Sequence, residues 1–278
     1  MSQGKFRNLD NFSRAQEYER LYWQNPDSGL EGRVIFNYIV SGGYDSAKRF
    51  YSEARSNFED PVGFSNGLGQ ELFVFGYCIN DAKIRQQAME DSRSASYSDM
   101  VLGVWEAAIR DNAKDIEKGA NEIVERYEDR KGADSPGHRL LKFLPLLPAL
   151  KDPKHPSRKE ALEYFGRGDG WTVLRFIWIE KYNIPTEDAI LLLGGRENNL
   201  LGQFLISYLE KNQPKALDDL NKLTTASDTR GEQKVLVACL YSRMHPLASP
   251  HEDKDLKPPG AMSIRQAVMT RLKSREGK

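Results

Sequence analysis

Cysteine, long apolar runs and net charge are all in short supply in this chain, and each shortage narrows what it can be. Only two cysteines, Cys78 and Cys239, occur in 278 residues, too few for a disulfide scaffold. Both sit in apolar, helix-like stretches, where a buried free thiol is the ordinary reading and a disulfide or a reactive thiol the alternative. Such sparse use fits a reducing compartment. The longest apolar runs, such as Ala189–Leu193, fall far below bilayer length, and the charged opening MSQGKFRNLDNFSRAQEYERLYW has no signal-peptide core. The expectation is a cytoplasmic location and no membrane partner.

Charge of one sign is missing too. Forty basic residues balance forty acidic ones, so nothing draws the chain as a whole toward nucleic acid. Histidine is scarce: His138, His155, His245 and His251 show no metal-ligand spacing, and the cluster of His245, His251, Glu252 and Asp253 reads as a solvated loop. Two glycine-rich segments, Asn66-Gly67-Leu68-Gly69-Gln70 and Gly166-Arg167-Gly168-Asp169-Gly170, precede helix-like runs. Neither follows a buried strand or ends in Lys-Ser/Thr, so neither makes a phosphate loop. A Gly-x-Ser-x-Gly elbow is absent. The paired acids Glu17 and Glu19, Asp218 and Asp219, and Glu252 and Asp253 look like ordinary solvated surface. The expectation is no catalytic, metal-ligating or cofactor-binding residue and no cofactor; an enzyme whose active site is assembled from distant residues stays open as an alternative.

What the chain has in abundance is helical periodicity. Val101, Val104, Trp105, Ala108 and Ile109, then Ile116, Ala120, Ile123, Val124 and Tyr127, recur every three or four residues and make one apolar stripe. Glu106, Glu117 and Glu128 are spaced eleven apart and predict a charged, solvated back, flanked by Arg110, Lys114, Lys118 and Arg126. The same style predicts helices near 9–23, 31–40, 45–58, 67–91, 98–130 with a break near Asn112, 137–150, 157–166, 170–182, 186–195, 198–212, 214–224, 230–243 and 262–274. Ser157 with Glu160 has capping-box spacing, Pro185-Thr186-Glu187-Asp188 reads as a helix start, Gly194-Gly195 as a stop, and Pro214 fits a first turn. A break at 131–156 suggests an N-terminal helical half over 1–135 and a C-terminal half over 136–278, joined in one continuous unit, with a proline-rich loop at 244–260.

Three aromatic or basic stretches stand out. In Trp171–Tyr182 the residues Trp171, Leu174, Phe176, Ile177, Trp178 and Ile179 are too many for one stripe, which predicts a central core helix; a Trp edge at the surface as an interface anchor is the alternative. Tyr18, Tyr22 and Trp23 sit on a short helix with a charged face and are expected to be partly exposed. The basic stretch Ile264–Arg275 reads as an ordinary helix whose basic end the helix dipole favours.

Small and large residues alternate in a repeating way. Ala47, Tyr51 and Ala54, after Gly43-Tyr44-Asp45-Ser46, have the spacing of the second helix of a tetratricopeptide unit; Ala120, Val124 and Tyr127, and Ala216, Leu220 and Leu223, repeat it more loosely. The expected fold class is all-α: stacked antiparallel helix pairs in a degenerate, tetratricopeptide-like helical-repeat array. Such stacks commonly bind proteins, so a non-enzymatic binding protein with a protein partner is expected, and a scaffold or adaptor that takes a peptide in its groove is the alternative. The oligomeric state leaves no mark in the sequence.

A narrower reading comes from Ser41-Gly42-Gly43-Tyr44-Asp45, which closes one helix and opens the next, and from Val101–Lys118, a Trp-centred helix followed by a charged one. In these stretches and in its format the chain resembles the all-helical immunity proteins of bacterial polymorphic toxin systems. The resemblance implies a tight one-to-one complex with a cognate toxin whose active site it blocks; it carries no catalytic residues over. Toxins that act on nucleic acids tend to have basic clefts, so an inhibitor would present acids. The acidic back of 98–130, with Asp111, Asp115, Glu122 and Asp129, is the expected partner-binding face, although the interspersed Lys and Arg residues can satisfy those acids as surface pairs.

Overall fold

The computed structural model describes residues 11–25, 28–56, 69–92, 97–128, 135–167, 171–195, 200–225 and 231–244. Among them the secondary structure is helical throughout, packed in pairs, with no strand. They fall into two compact units, one within residues 1–67 and the other within 68–244. The division expected near 135 lies inside the second unit, because the helices on either side of that seam pack on each other. The proline-rich loop, His245 and His251 with their neighbouring acids, the helix expected at 262–274 and Asp129 lie outside the described residues.

The first unit holds α1 (Asn11–Gln24), α2 (Ser28–Val40) and α3 (Tyr44–Ser56). A buried carboxylate ties the three together. Glu19 of α1 accepts from Tyr38 Oη of α2 at 2.5 Å and from both Arg49 guanidinium nitrogens of α3 at 2.8 and 3.0 Å. It also accepts from Trp23 Nε1 at 3.3 Å. A buried carboxylate is tolerated only with such a full set of donors. Tyr22, expected to be partly exposed, is buried against Phe50, and only Tyr18 and Trp23 keep part of their surface.

The second unit opens with the hairpins α4 (Gly69–Cys78) with α5 (Ala82–Asp91), and α6 (Tyr97–Ile109) with α7 (Ala113–Ile123), the latter followed by a π-helical turn (Val124–Glu128). It continues through α8 (Pro136–Phe143), a 3-10 turn (Leu144–Leu146), α9 (Leu147–Lys151), α10 (Arg158–Gly166), α11 (Thr172–Lys181) and α12 (Thr186–Leu192). It ends with α13 (Leu200–Leu209), α14 (Gln213–Thr225) and α15 (Gly231–Met244). The last helix packs on the first, α15 against α4, so the unit is closed by its own ends.

One turn recurs in both units. Gly42, Asn80, Asp111 and Lys211 each take a positive φ, 77°, 54°, 61° and 57°. The next residue, Gly43, Asp81, Asn112 or Asn212, donates its N–H to the carbonyl five positions back, at 2.7–2.9 Å, a Schellman closure. The carbonyl of that same residue then accepts from the N–H of Ala47, Arg85, Ile116 or Ala216 and so starts the next helix. In three of the four the side chain also caps that helix: Asp81 on Lys83 and Ile84, Asn112 on Asp115, Asn212 on Lys215. This turn splits the single helix expected over 67–91, and it sets the break at Asp111-Asn112.

The turn also aligns the repeated positions. Counting from the cap, Ala47, Tyr51 and Ala54 fall four, eight and eleven residues on, and so do Ala216, Leu220 and Leu223; all six are buried. In α7 the equivalent positions are Ile116, Ala120 and Ile123, all buried. The expected triplet Ala120, Val124 and Tyr127 is therefore one turn out of register, and Tyr127 is exposed beyond the end of α7.

The core centres on α11, where every residue from Thr172 to Ile179 is buried. Trp178 packs against Phe143 and Phe165, whose rings stack at 4.3 Å, and buried Arg175 lies over the Phe165 ring. Trp171 donates to the Pro136 carbonyl at 2.7 Å. The core reading of this segment holds. Two smaller expectations change. Pro145 and Pro148 divide 137–150 into α8, the 3-10 turn and α9. Ser157 makes no side-chain capping bond; its N–H donates to His155 Nδ1 instead.

Candidate interaction surface

Among the described helices, α7 is strongly one-sided. Ile116, Ala120 and Ile123 are buried against α6 and α8, while Lys114, Lys118, Asn121 and Glu125 line up four, three and four residues apart on the outside. With Glu117 and Glu122 they line a shallow concavity of about 390 Å³. Among the described residues no ion pair or side-chain hydrogen bond engages Lys114, Glu117, Lys118, Glu122 or Glu125. Other helices of the chain do pair their charges at this spacing, as in Arg20–Glu17, Arg49–Glu53, Arg110–Glu106 and Lys222–Asp218.

Three of the four acids expected to form one face lie among the described residues, and their surroundings differ. Asp111 belongs to the αL turn, where Lys151 pairs with it at 2.7 Å and Tyr182 Oη donates to it at 2.7 Å. Partial burial pushes its carboxyl up, but the Lys151 and Tyr182 hydrogen bonds and the charges of Lys151 and Lys181 outweigh this and hold it below the usual range. Lys181 also donates to the Ile109 carbonyl at the end of α6. Asp111 is thus a latch between the α6–α7 turn and helices α9 and α11. Asp115 sits in the first turn of α7, where it accepts from the Asn112 side chain at 2.5 Å. Glu122 remains on the open concavity, and Asp129 is outside the described residues.

Glu106, expected on the solvated back, is buried. It takes Arg85 Nε of α5 on one oxygen and Arg110 Nε on the other, both at 2.9 Å. An acid in this position needs a partner from another helix, and Arg85 is twenty-one positions away in sequence, beyond the reach of any helical spacing rule. Glu125, absent from the face expected from sequence, joins Glu122 on the outer side, and its place seven residues after Lys118 is the signal for it.

A second polar cluster lies where the unit closes. Tyr77 of α4 donates to Glu180 Oε2 of α11 at 2.6 Å, and Arg243 of α15 donates to Glu180 Oε1 at 2.9 Å and to the Cys78 carbonyl at 2.6 Å. At the opposite ends of the same two helices, Glu71 of α4 rests on the first turn of α15, so close that a Cβ at Gly231 would collide with its carboxyl. Burial, with the charge of Glu232 adding, pushes Glu71 up to about 7. No group of three or more His, Cys, Asp or Glu that could hold a metal occurs among the described residues, and no helix among them is long and apolar enough to cross a membrane. No family model, curated protein or solved structure matches the chain.

Proposed function

We propose that this chain is a non-enzymatic protein-binding protein, and most specifically an immunity protein that binds and neutralises a cognate bacterial toxin. The supporting observation is the outer face of α7, a shallow concavity of unengaged charge on a helix that is otherwise firmly anchored. Charged side chains presented on a helix can steer a partner of complementary charge. With Glu117, Glu122 and Glu125 against Lys114 and Lys118, the face carries a small acidic excess and suits a partner with a basic rim. Capture of the tagged chain from its native host, a high-salt wash and mass spectrometry test the reading. The expected result is one stoichiometric partner that stops growth when expressed alone and is relieved by this chain. A captured partner that is harmless on its own removes the immunity reading.

The repeated Schellman-and-cap turn supports a second reading, a helical-repeat adaptor that binds a peptide or protein. Several weakly held partners in the same capture favour it, and an empty bait argues against both binding readings and reopens an enzyme with a distributed site.

A further inference from the structure

The two cysteines come from opposite ends of the second unit. Cys78 is the last residue of α4 and Cys239 lies in α15, the helix that packs on α4 to close the unit. Both thiols are free and buried, and they lie close enough to influence each other electrostatically. Arg243, one turn after Cys239, holds the Cys78 carbonyl at 2.6 Å and so pins the end of α4 against α15. Burial, the Cys78 contact and the Cys78 charge push the Cys239 thiol up, against the opposing charge of Arg243.

We propose that Cys78 and Cys239 are a disulfide-forming pair that bolts α15 to α4 when the chain meets a small-molecule disulfide. Cys78 is 9% exposed and Cys239 fully buried, so Cys78 reacts first. Its thiolate attacks one sulfur of the oxidant, whose S–S bond breaks and releases one thiolate, leaving a mixed disulfide on Cys78. Cys239 Sγ then attacks Cys78 Sγ and expels the second thiolate. The two protons lost by the cysteines end on the two released thiols, so the protein is oxidised by two electrons and the reagent reduced by two. The bond closes a covalent loop around nearly the whole second unit, which restricts its unfolded state. It is independent of whatever α7 binds.

Hydroxyethyl disulfide, added to the full folded chain, is the probe. After quenching, unfolding and alkylation, the reduced chain carries two alkyl groups and the oxidised chain none, and peptide mapping links Cys78 to Cys239 within one molecule. The thermal midpoint rises by about 5–10 °C, and dithiothreitol reverses the rise. Cys239→Ala should trap the hydroxyethyl adduct on Cys78, and Cys78→Ala should leave Cys239 unmodified; helical circular dichroism checks that both fold. Two alkylated thiols after oxidation of the folded chain overturn the proposal, as does a stable adduct on Cys78 beside free Cys239, or a bond between two molecules. Modification of Cys239 in Cys78→Ala at the wild-type rate overturns the assigned order.

Discussion

α11 and α7 are nearly equal in length and belong to the same unit, yet they stand at opposite extremes. α11 is buried from Thr172 to Ile179 and takes even an arginine into the interior. α7 buries three residues and leaves its other side to solvent. The contrast separates what holds the molecule together from what is free to meet something else. On α11 each charge has a receiver: Arg175 lies over the Phe165 ring, Glu180 sits between Tyr77 and Arg243, and Lys181 donates to the Ile109 carbonyl. On α7 and the π-helical turn that follows it five charges stand without a partner among the described residues, and the helix packs through Ile116, Ala120 and Ile123.

The largest way to test that contrast is to hollow out α11. Trp178→Ala should cost about 3–5 kcal/mol in denaturant unfolding, since Trp178 is fully buried among Phe143 and Phe165. Its indole N–H has no hydrogen-bond partner among the described residues, so Trp178→Phe should lose much less, about 1–2 kcal/mol. Equal losses would mean that the nitrogen is engaged after all.

A buried acid sharpens the comparison next. The folded-state value of Glu71 is raised to about 7, above its unfolded value of about 4.3. Stability from this group is therefore fully present below pH ~4 and lost as pH rises through 7, on the order of 3–4 kcal/mol at about 1.4 kcal/mol per unit. Glu71→Gln should flatten the difference in unfolding free energy between pH 5 and pH 8; an unchanged slope would assign it to another group.

Asp111 is a milder case of opposite sign. Its carboxyl is held below the usual range, so its contribution is present above pH ~4 and lost as pH falls through the folded value. Asp111→Asn tolerates the positive φ but weakens the pairing with Lys151 and Tyr182. It should cost about 0.5–1 kcal/mol at neutral pH and remove that part of the acid limb of the stability profile.

The smallest effect on stability belongs to the outer face of α7. Glu122→Lys with Glu125→Lys should change unfolding free energy by less than about 0.5 kcal/mol. With a captured partner in hand, the same variant should slow association about tenfold at low salt. Asp115 is the poorer target, because an acid in the first turn of a helix is favoured there and it is engaged by Asn112. A loss of stability comparable to that of the Trp178 variant would show the α7 face to be structural and erase the contrast with α11.

The helix faces were legible in the residues because burial follows a period the chain carries locally. Ile116, Ala120 and Ile123 on one side and Glu117 and Glu122 on the other need no knowledge of the neighbours. The split at Asn80-Asp81 was legible in principle, since Asp111-Asn112 and Lys211-Asn212 make the same turn, but the apolar run on each side masked it. The candidate face was only half legible. Spacing found Glu122, but it also selected Asp111, whose partners Lys151 and Tyr182 lie forty and seventy-one residues away, and it placed buried Glu106 in solvent.

The sequence by itself determined an all-helical chain, its apolar stripes and most of its helix ends, because helical period, caps and αL residues act within a few positions. Only the tertiary structure decided which acids are spent on internal partners, where the units divide, and that α15 returns to α4 to bring Cys239 against Cys78. Those outcomes depend on contacts between residues far apart in the chain, and no local periodicity encodes them.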